Sequence, residues 1–125
     1  MIKGFTFVEF PVKNFEKSIV FYRDTLGLQL SHMDEVRRWC LFKIPGSDTG
    51  CALYQSTEGF INGDPQHLVH VVVQVEDVEK TIEALSTQGI KVEPIRVHED
   101  EHFRISGFTD PEGHVWRVWA PFADA

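Results

Sequence analysis

Long apolar runs are missing from this chain of 125 residues: no stretch approaches the ~20 uninterrupted apolar residues of a membrane-spanning helix. A membrane partner is therefore not expected. Basic side chains are also scarce, 12 Lys and Arg against 19 Asp and Glu, and the formal charge of −7 comes without any Lys/Arg cluster. Such a balance repels a phosphate backbone and anionic lipid, so nucleic acid is not an expected partner. Cysteine appears twice, as Cys40 and Cys51, in apolar surroundings and without metal-ligand spacing, which predicts buried, reduced thiols. The opening MIKGFTFVEF lacks the basic head, apolar run and small-residue cleavage site of a secretory leader, and the expected location is cytoplasmic. What is present, 42% hydrophobic and 25% charged residues, is ordinary for a folded domain or for two half-size units sharing a core.

The chain repeats itself. Sliding it by 63 positions sets Val8 on Val71, Val12 on Val75, Asn14 on Asp77, Glu16 on Glu79, Lys17 on Lys80, Ser18 on Thr81 and Ile19 on Ile82. After a gap of one residue, Gly27-Leu28-Gln29-Leu30 meets Gly89-Ile90-Lys91-Val92. This pattern is an internal duplication.

Both copies follow one order of elements. Val8, Phe10 and Val12 alternate as one face of a strand, as do Val69, Val71, Val73 and Val75. Asn14 and Asp77 can each N-cap a helix, with Glu16 and Glu79 in the first turn, where the helix dipole favours a negative charge. Phe15, Ile19 and Tyr22, like Val78, Ile82 and Leu85, fall at i, i+4 and i+7 and make an apolar stripe, and Gly27 and Gly89 stop the helices. Three strands follow in each copy, at about 28–33, 36–44 and 50–54 and at about 91–97, 102–109 and 114–119. Asp110-Pro111-Glu112-Gly113 reads as a type I turn before the last of them.

The fold class is thus α+β: two tandem βαβββ modules within a single domain, about 4–55 and about 67–120, joined by a Gly-, Asp- and Pro-rich linker at 56–66. Each module has one helix to cover one sheet face. The opposite faces carry Phe5, Phe7, Glu9 and Pro11 in one module and Leu68, His70, Val72 and Gln74 in the other, partly polar surfaces that predict a curled mixed sheet around a central ligand cavity.

FYRDTLGLQL, HVVVQVEDVEKTIEAL and FTDPEGHVWRVW together resemble the vicinal oxygen chelate superfamily, which includes glyoxalases, bleomycin-resistance proteins and extradiol dioxygenases. The likeness runs from Phe5 to Trp119. It implies the paired-module fold, a common tendency to form homodimers, and, in metal-dependent members, a divalent ion held from the first and last strands of each module. Carried over position by position, those places hold Phe7, one of Ala52, Leu53 or Tyr54, then His70, and finally Arg117 where a carboxylate stands in the family pattern. Only His70 keeps a ligand, and one imidazole does not hold a divalent ion against water. No metal or other cofactor is therefore expected, with Zn, Ni, Mn, Mg or Fe on unexpected ligands as the alternative.

In place of the metal, Arg117 would supply a positive centre for an anionic or carbonyl ligand, paired with Glu9 across the cavity, and His70 or Glu9 would take a proton. These three are the candidate catalytic residues, each with a plainer reading: a structural strand histidine, an edge carboxylate, or an arginine facing solvent if the register slips by one. Phe7, Trp39, Tyr54, Phe103 and Trp119 are candidate walls for a planar ligand, and Trp116 joins those that can equally be core. His98-Glu99-Asp100-Glu101-His102 reads as a solvated turn rather than a metal cluster, and nothing in the spacing of His67, His70 and His114 brings them together.

The leading reading is a glyoxalase/bleomycin-resistance-like protein that binds a small organic molecule, anionic or aromatic, either sequestering it or acting as a metal-independent lyase or isomerase. A divalent-metal glyoxalase I-like lyase or dioxygenase is the first alternative, and a non-catalytic dimeric structural or regulatory module the second. The residues alone leave open whether the protein is an enzyme.

Overall fold

Two helices capped by the same device mark the duplication in three dimensions. In the computed structural model, which describes residues 1, 3, 6–56 and 70–123, the Asn14 side chain accepts a hydrogen bond from the Lys17 N–H at 3.1 Å. Asp77 accepts one from the Lys80 N–H at 2.9 Å. Helix α1 spans Phe15–Val20 and continues as a π-helical turn, Phe21–Thr25; helix α2 spans Val78–Thr87. Their predicted apolar stripes are buried, with Phe15, Ile19 and Tyr22 at most 7% exposed and Val78, Ile82 and Leu85 likewise. Gly27 and Gly89 take φ of +73° and +81°, the left-handed backbone that ends a helix without a Cβ penalty.

The π-helical turn has a source in the sequence. From Asn14 to Gly27 the first copy carries one residue more than from Asp77 to Gly89 in the second. The extra residue is absorbed by widening the last turn, where the Leu26 N–H reaches the Phe21 carbonyl at 3.0 Å, five residues back.

The chain forms two compact units, 1–64 and 65–125. The first contains β1 (Val8–Val12), β2 (Gln29–Asp34), β3 (Trp39–Lys43) and β4 (Gly50–Gln55), in sheet order β1-β4-β3-β2. The second contains β5 (Val71–Gln74), β6 (Arg96–His98), β7 (Phe103–Thr109) and β8 (Val115–Pro121), in order β5-β8-β7-β6. In each sheet the first and last strands are parallel neighbours and the other pairings are antiparallel. Each unit is therefore a βαβββ module of mixed α+β type, as expected.

Each sheet has one face in its core. In the first, Phe10, Cys40, Phe42, Cys51 and Leu53 are at most 5% exposed. Burial pushes the Cys40 thiol up to about 11, so it stays a neutral, inert packing group at ordinary pH. In the second, Trp116 and Val118 fill that role, with Trp116 stacked on Phe108 at 5.9 Å, so Trp116 is core.

Two strands differ from the expected limits. The strand expected at about 91–97 is reduced to Arg96–His98 plus a single bridge between Val92 and Phe108, because Pro94 has no N–H to give the ladder. The strand expected from 36 begins at Trp39, since Asp34 caps a turn through the Arg37 N–H at 3.0 Å and Arg38 takes φ +56°. Phe5, His67, Leu68, Val69 and nearly all of the expected linker lie outside the described residues.

Candidate functional site

The strand ladders narrow the positions at which the resemblance implies metal ligands. Glu9 lies opposite Ala52 on β4, and Val72 lies opposite Arg117 on β8. Glu9 and Val72 are equivalent under the 63-residue repeat, so Ala52 is the counterpart of Arg117 among the three residues that the sequence left open. The four positions are therefore Phe7, Ala52, His70 and Arg117. Of these side chains, a benzyl ring and a methyl group in the first module and an imidazole and a guanidinium in the second, only the imidazole is a metal ligand, so neither module presents a set that fits a divalent ion. Among the described residues there is also no group of three or more His, Cys, Asp or Glu placed to hold one.

In the second module, the sheet face away from the helix carries a concavity of about 330 Å³, lined by His70, Lys91, Glu93, Thr109, Val115 and Arg117, with Gly113 at its edge. Arg117 is placed there by strand alternation: Trp116, Val118 and Ala120 turn inward, and Val115, Arg117 and Trp119 are half-buried on the other face. Two basic side chains, Lys91 and Arg117, line it together with one carboxylate, Glu93. The concavity is locally basic in a chain of net charge −7.

Within its own module, each of the two charges expected to pair, Arg117 and Glu9, has a partner. Arg117 Nη1 donates to Glu93 Oε2 at 2.5 Å, within its own module. Glu9 accepts instead from the Trp39 indole Nε1 at 3.0 Å. Both pairings follow from the ladders: β3 is joined to β1 through β4, and Glu93 hydrogen-bonds to Gly107, which lies opposite Arg117. Glycine is what lets the carboxylate in. A Cβ at position 107 would lie 2.6 Å from Glu93 Oε2 and 2.8 Å from the Trp116 carbonyl oxygen.

The candidate aromatic walls form two groups, one per module. Trp39 is flanked by Phe7 at 5.7 Å and by His32 at 5.8 Å between ring centroids, and Tyr54 lies opposite Trp39 in the ladder. On the second sheet, Phe103 packs edge-on to Trp119 at 6.4 Å and stacks with His98 at 4.4 Å. That stacking, and the contact of His102 with Phe122, place the two imidazoles of the 98–102 segment against aromatic rings.

Sequence reasoning missed Glu93, Lys91 and Thr109. A signal for the first two existed: Lys91 and Glu93 alternate toward one face of the strand expected at about 91–97.

A duplicated βαβββ topology defines the class of protein. A family model for the Glyoxalase/Bleomycin resistance protein/Dioxygenase superfamily matches residues 4–118, and the chain belongs to that superfamily. Among solved structures it is similar to the integron cassette protein HFX_CASS4 from the mobile metagenome of the Halifax Harbour sewage outfall. The two share 30% identity and a TM-score of 0.80, over 95% of this chain and 99% of that one. It is similar also to TnmS3, an antibiotic binding protein from Streptomyces sp. CB03234, at 26% identity and TM-score 0.79 over 96% and 97%. A sequence relative is YraH of Bacillus subtilis strain 168, 26% identical over 117 residues, which are 86% of this chain and 91% of YraH.

Proposed function

We propose that this protein binds a small organic anion at the concavity holding Arg117, Lys91 and His70, in place of the metal chemistry of its superfamily, and that it acts by sequestering that ligand. One observation carries the reading: a guanidinium, Arg117, stands at the position where the superfamily resemblance implies a metal-binding carboxylate, and it lines a concavity with Lys91 and His70. A fixed positive charge repels a divalent ion and attracts an oxyanion by the same Coulomb term. The fork of N–H donors on Arg117 suits a carboxylate or phosphonate, and Lys91 adds a second positive charge. TnmS3, described as an antibiotic binding protein, gives the sequestering role a precedent within the fold. His70 on the same wall leaves a metal-independent lyase or isomerase as the second reading, with the imidazole moving the proton.

Trp119 shares the Arg117 face, so tryptophan emission provides a readout. Titration with phenylphosphonate is expected to quench the fluorescence saturably, and titration with benzylammonium, of similar size and opposite charge, is not. Equal responses to both, or none to either, would contradict an anion site.

A further inference from the structure

We infer that Glu93 is a built-in counter-anion: it holds Arg117 in the ligand-free protein, and the acid group of the ligand must displace it, so that Glu93 sets the affinity for anions at this site. The inference rests on the proposed anion-binding function. The Glu93 backbone is pinned, its N–H bonded to the Gly107 carbonyl at 2.9 Å and its carbonyl accepting the Ser106 hydroxyl at 2.8 Å. Pro94 follows directly and restricts the chain further. Only the side chain is left to move. Its carboxylate occupies the guanidinium at 2.5 Å, and both partners border solvent, Arg117 at 28% and Glu93 at 40% side-chain exposure.

That half-exposed setting decides the energetics. A fully buried pair would be costly to break, because it would leave an unpaired charge in a low-dielectric interior, whereas a pair at the water boundary contributes little net stability and exchanges partners readily. An incoming oxyanion replaces the charge of Glu93 on Arg117 and gains Lys91, while the released carboxylate can turn to water. A cationic ligand gains none of this. Glu93 therefore lowers affinity for every anion by the strength of its own pairing, and it keeps the site closed to anions too weak to compete.

Calorimetric titration of phenylphosphonate at low ionic strength into the wild type, Glu93→Gln and Glu93→Asp tests the inference. Glu93→Gln removes the competing charge at nearly constant shape and is expected to tighten binding by roughly two- to fivefold. Glu93→Asp keeps the charge but shortens its reach, and is expected to tighten binding by less. Unchanged or weaker binding in Glu93→Gln, with the wild type binding, would overturn the counter-anion role and leave the anion site standing. No binding by any of the three would overturn both. Should Glu93→Gln fail to give the wild-type circular dichroism spectrum, the Glu93→Asp affinity decides alone, and tightening is the result required.

Discussion

Phe42→Ala is expected to destabilise the protein by about 3–5 kcal/mol, the range for truncating a large buried aromatic residue. Phe42 has no solvent exposure, lies between Cys51 on β4 and Leu30 on β2 in the sheet, and packs its ring 5.7 Å from that of Tyr22, at the join of α1 and its π-helical turn. Its removal would leave a cavity bounded by sheet on one side and helix on the other, two elements that cannot collapse onto it without breaking strand register or helix hydrogen bonds. Val36→Ala is the control: Val36 is 94% exposed in the turn before β3 and should change stability by less than about 0.5 kcal/mol. Urea unfolding measures both. A loss below about 1 kcal/mol at Phe42 would mean that the core of the first module is not where its sheet and helix place it.

The second large effect concerns the site. Arg117→Ala is expected to weaken phenylphosphonate binding by roughly 10- to 100-fold, since a hydrogen bond to a charged group contributes ~1.5–3 kcal/mol. Arg117→Lys should fall between the two, keeping the charge and losing the fork. Stability should change little, because the pair with Glu93 borders solvent. Unaltered affinity in Arg117→Ala, with the fold intact, would remove Arg117 from the site and with it the reason for assigning an anionic ligand.

Much of this architecture can be read from periodicity and capping alone. Asn14 and Asp77 cap as their types and positions require, the i, i+4, i+7 stripes are buried, and Gly27 and Gly89 take the left-handed backbone that ends each helix. The strand ends are less legible. The stretch 91–97 has strand-like composition, yet Pro94 within it breaks the ladder, and the turn before Trp39 depends on an Asp34 side chain whose direction no pattern specifies.

At the site, the alternation of Trp116, Arg117 and Val118 reveals which face Arg117 takes, but not its partner. Glu9 and Glu93 were equally available as carboxylates. That Glu93 reaches Arg117 depends on Gly107, which lies opposite Arg117 and hydrogen-bonds to Glu93, a fact of sheet register that two distant segments share and neither encodes locally. The one-residue offset between the two copies is the opposite case. It was visible as a gap, and its meaning as a widened helical turn emerges only when Leu26 is seen bonding to Phe21.

An anion site at Arg117 should respond to an oxyanion and not to a divalent metal ion. Melting scans of protein dialysed against EDTA, with Zn²⁺, Ni²⁺, Mn²⁺, Mg²⁺ or Fe²⁺ added in turn and phenylphosphonate in parallel, test it most directly. A ligand that binds the native state alone raises the melting temperature in proportion to the logarithm of its excess over Kd. A rise with phenylphosphonate and none with any of the ions is expected. A near-stoichiometric rise with one of the metals, abolished by His70→Ala, would contradict it.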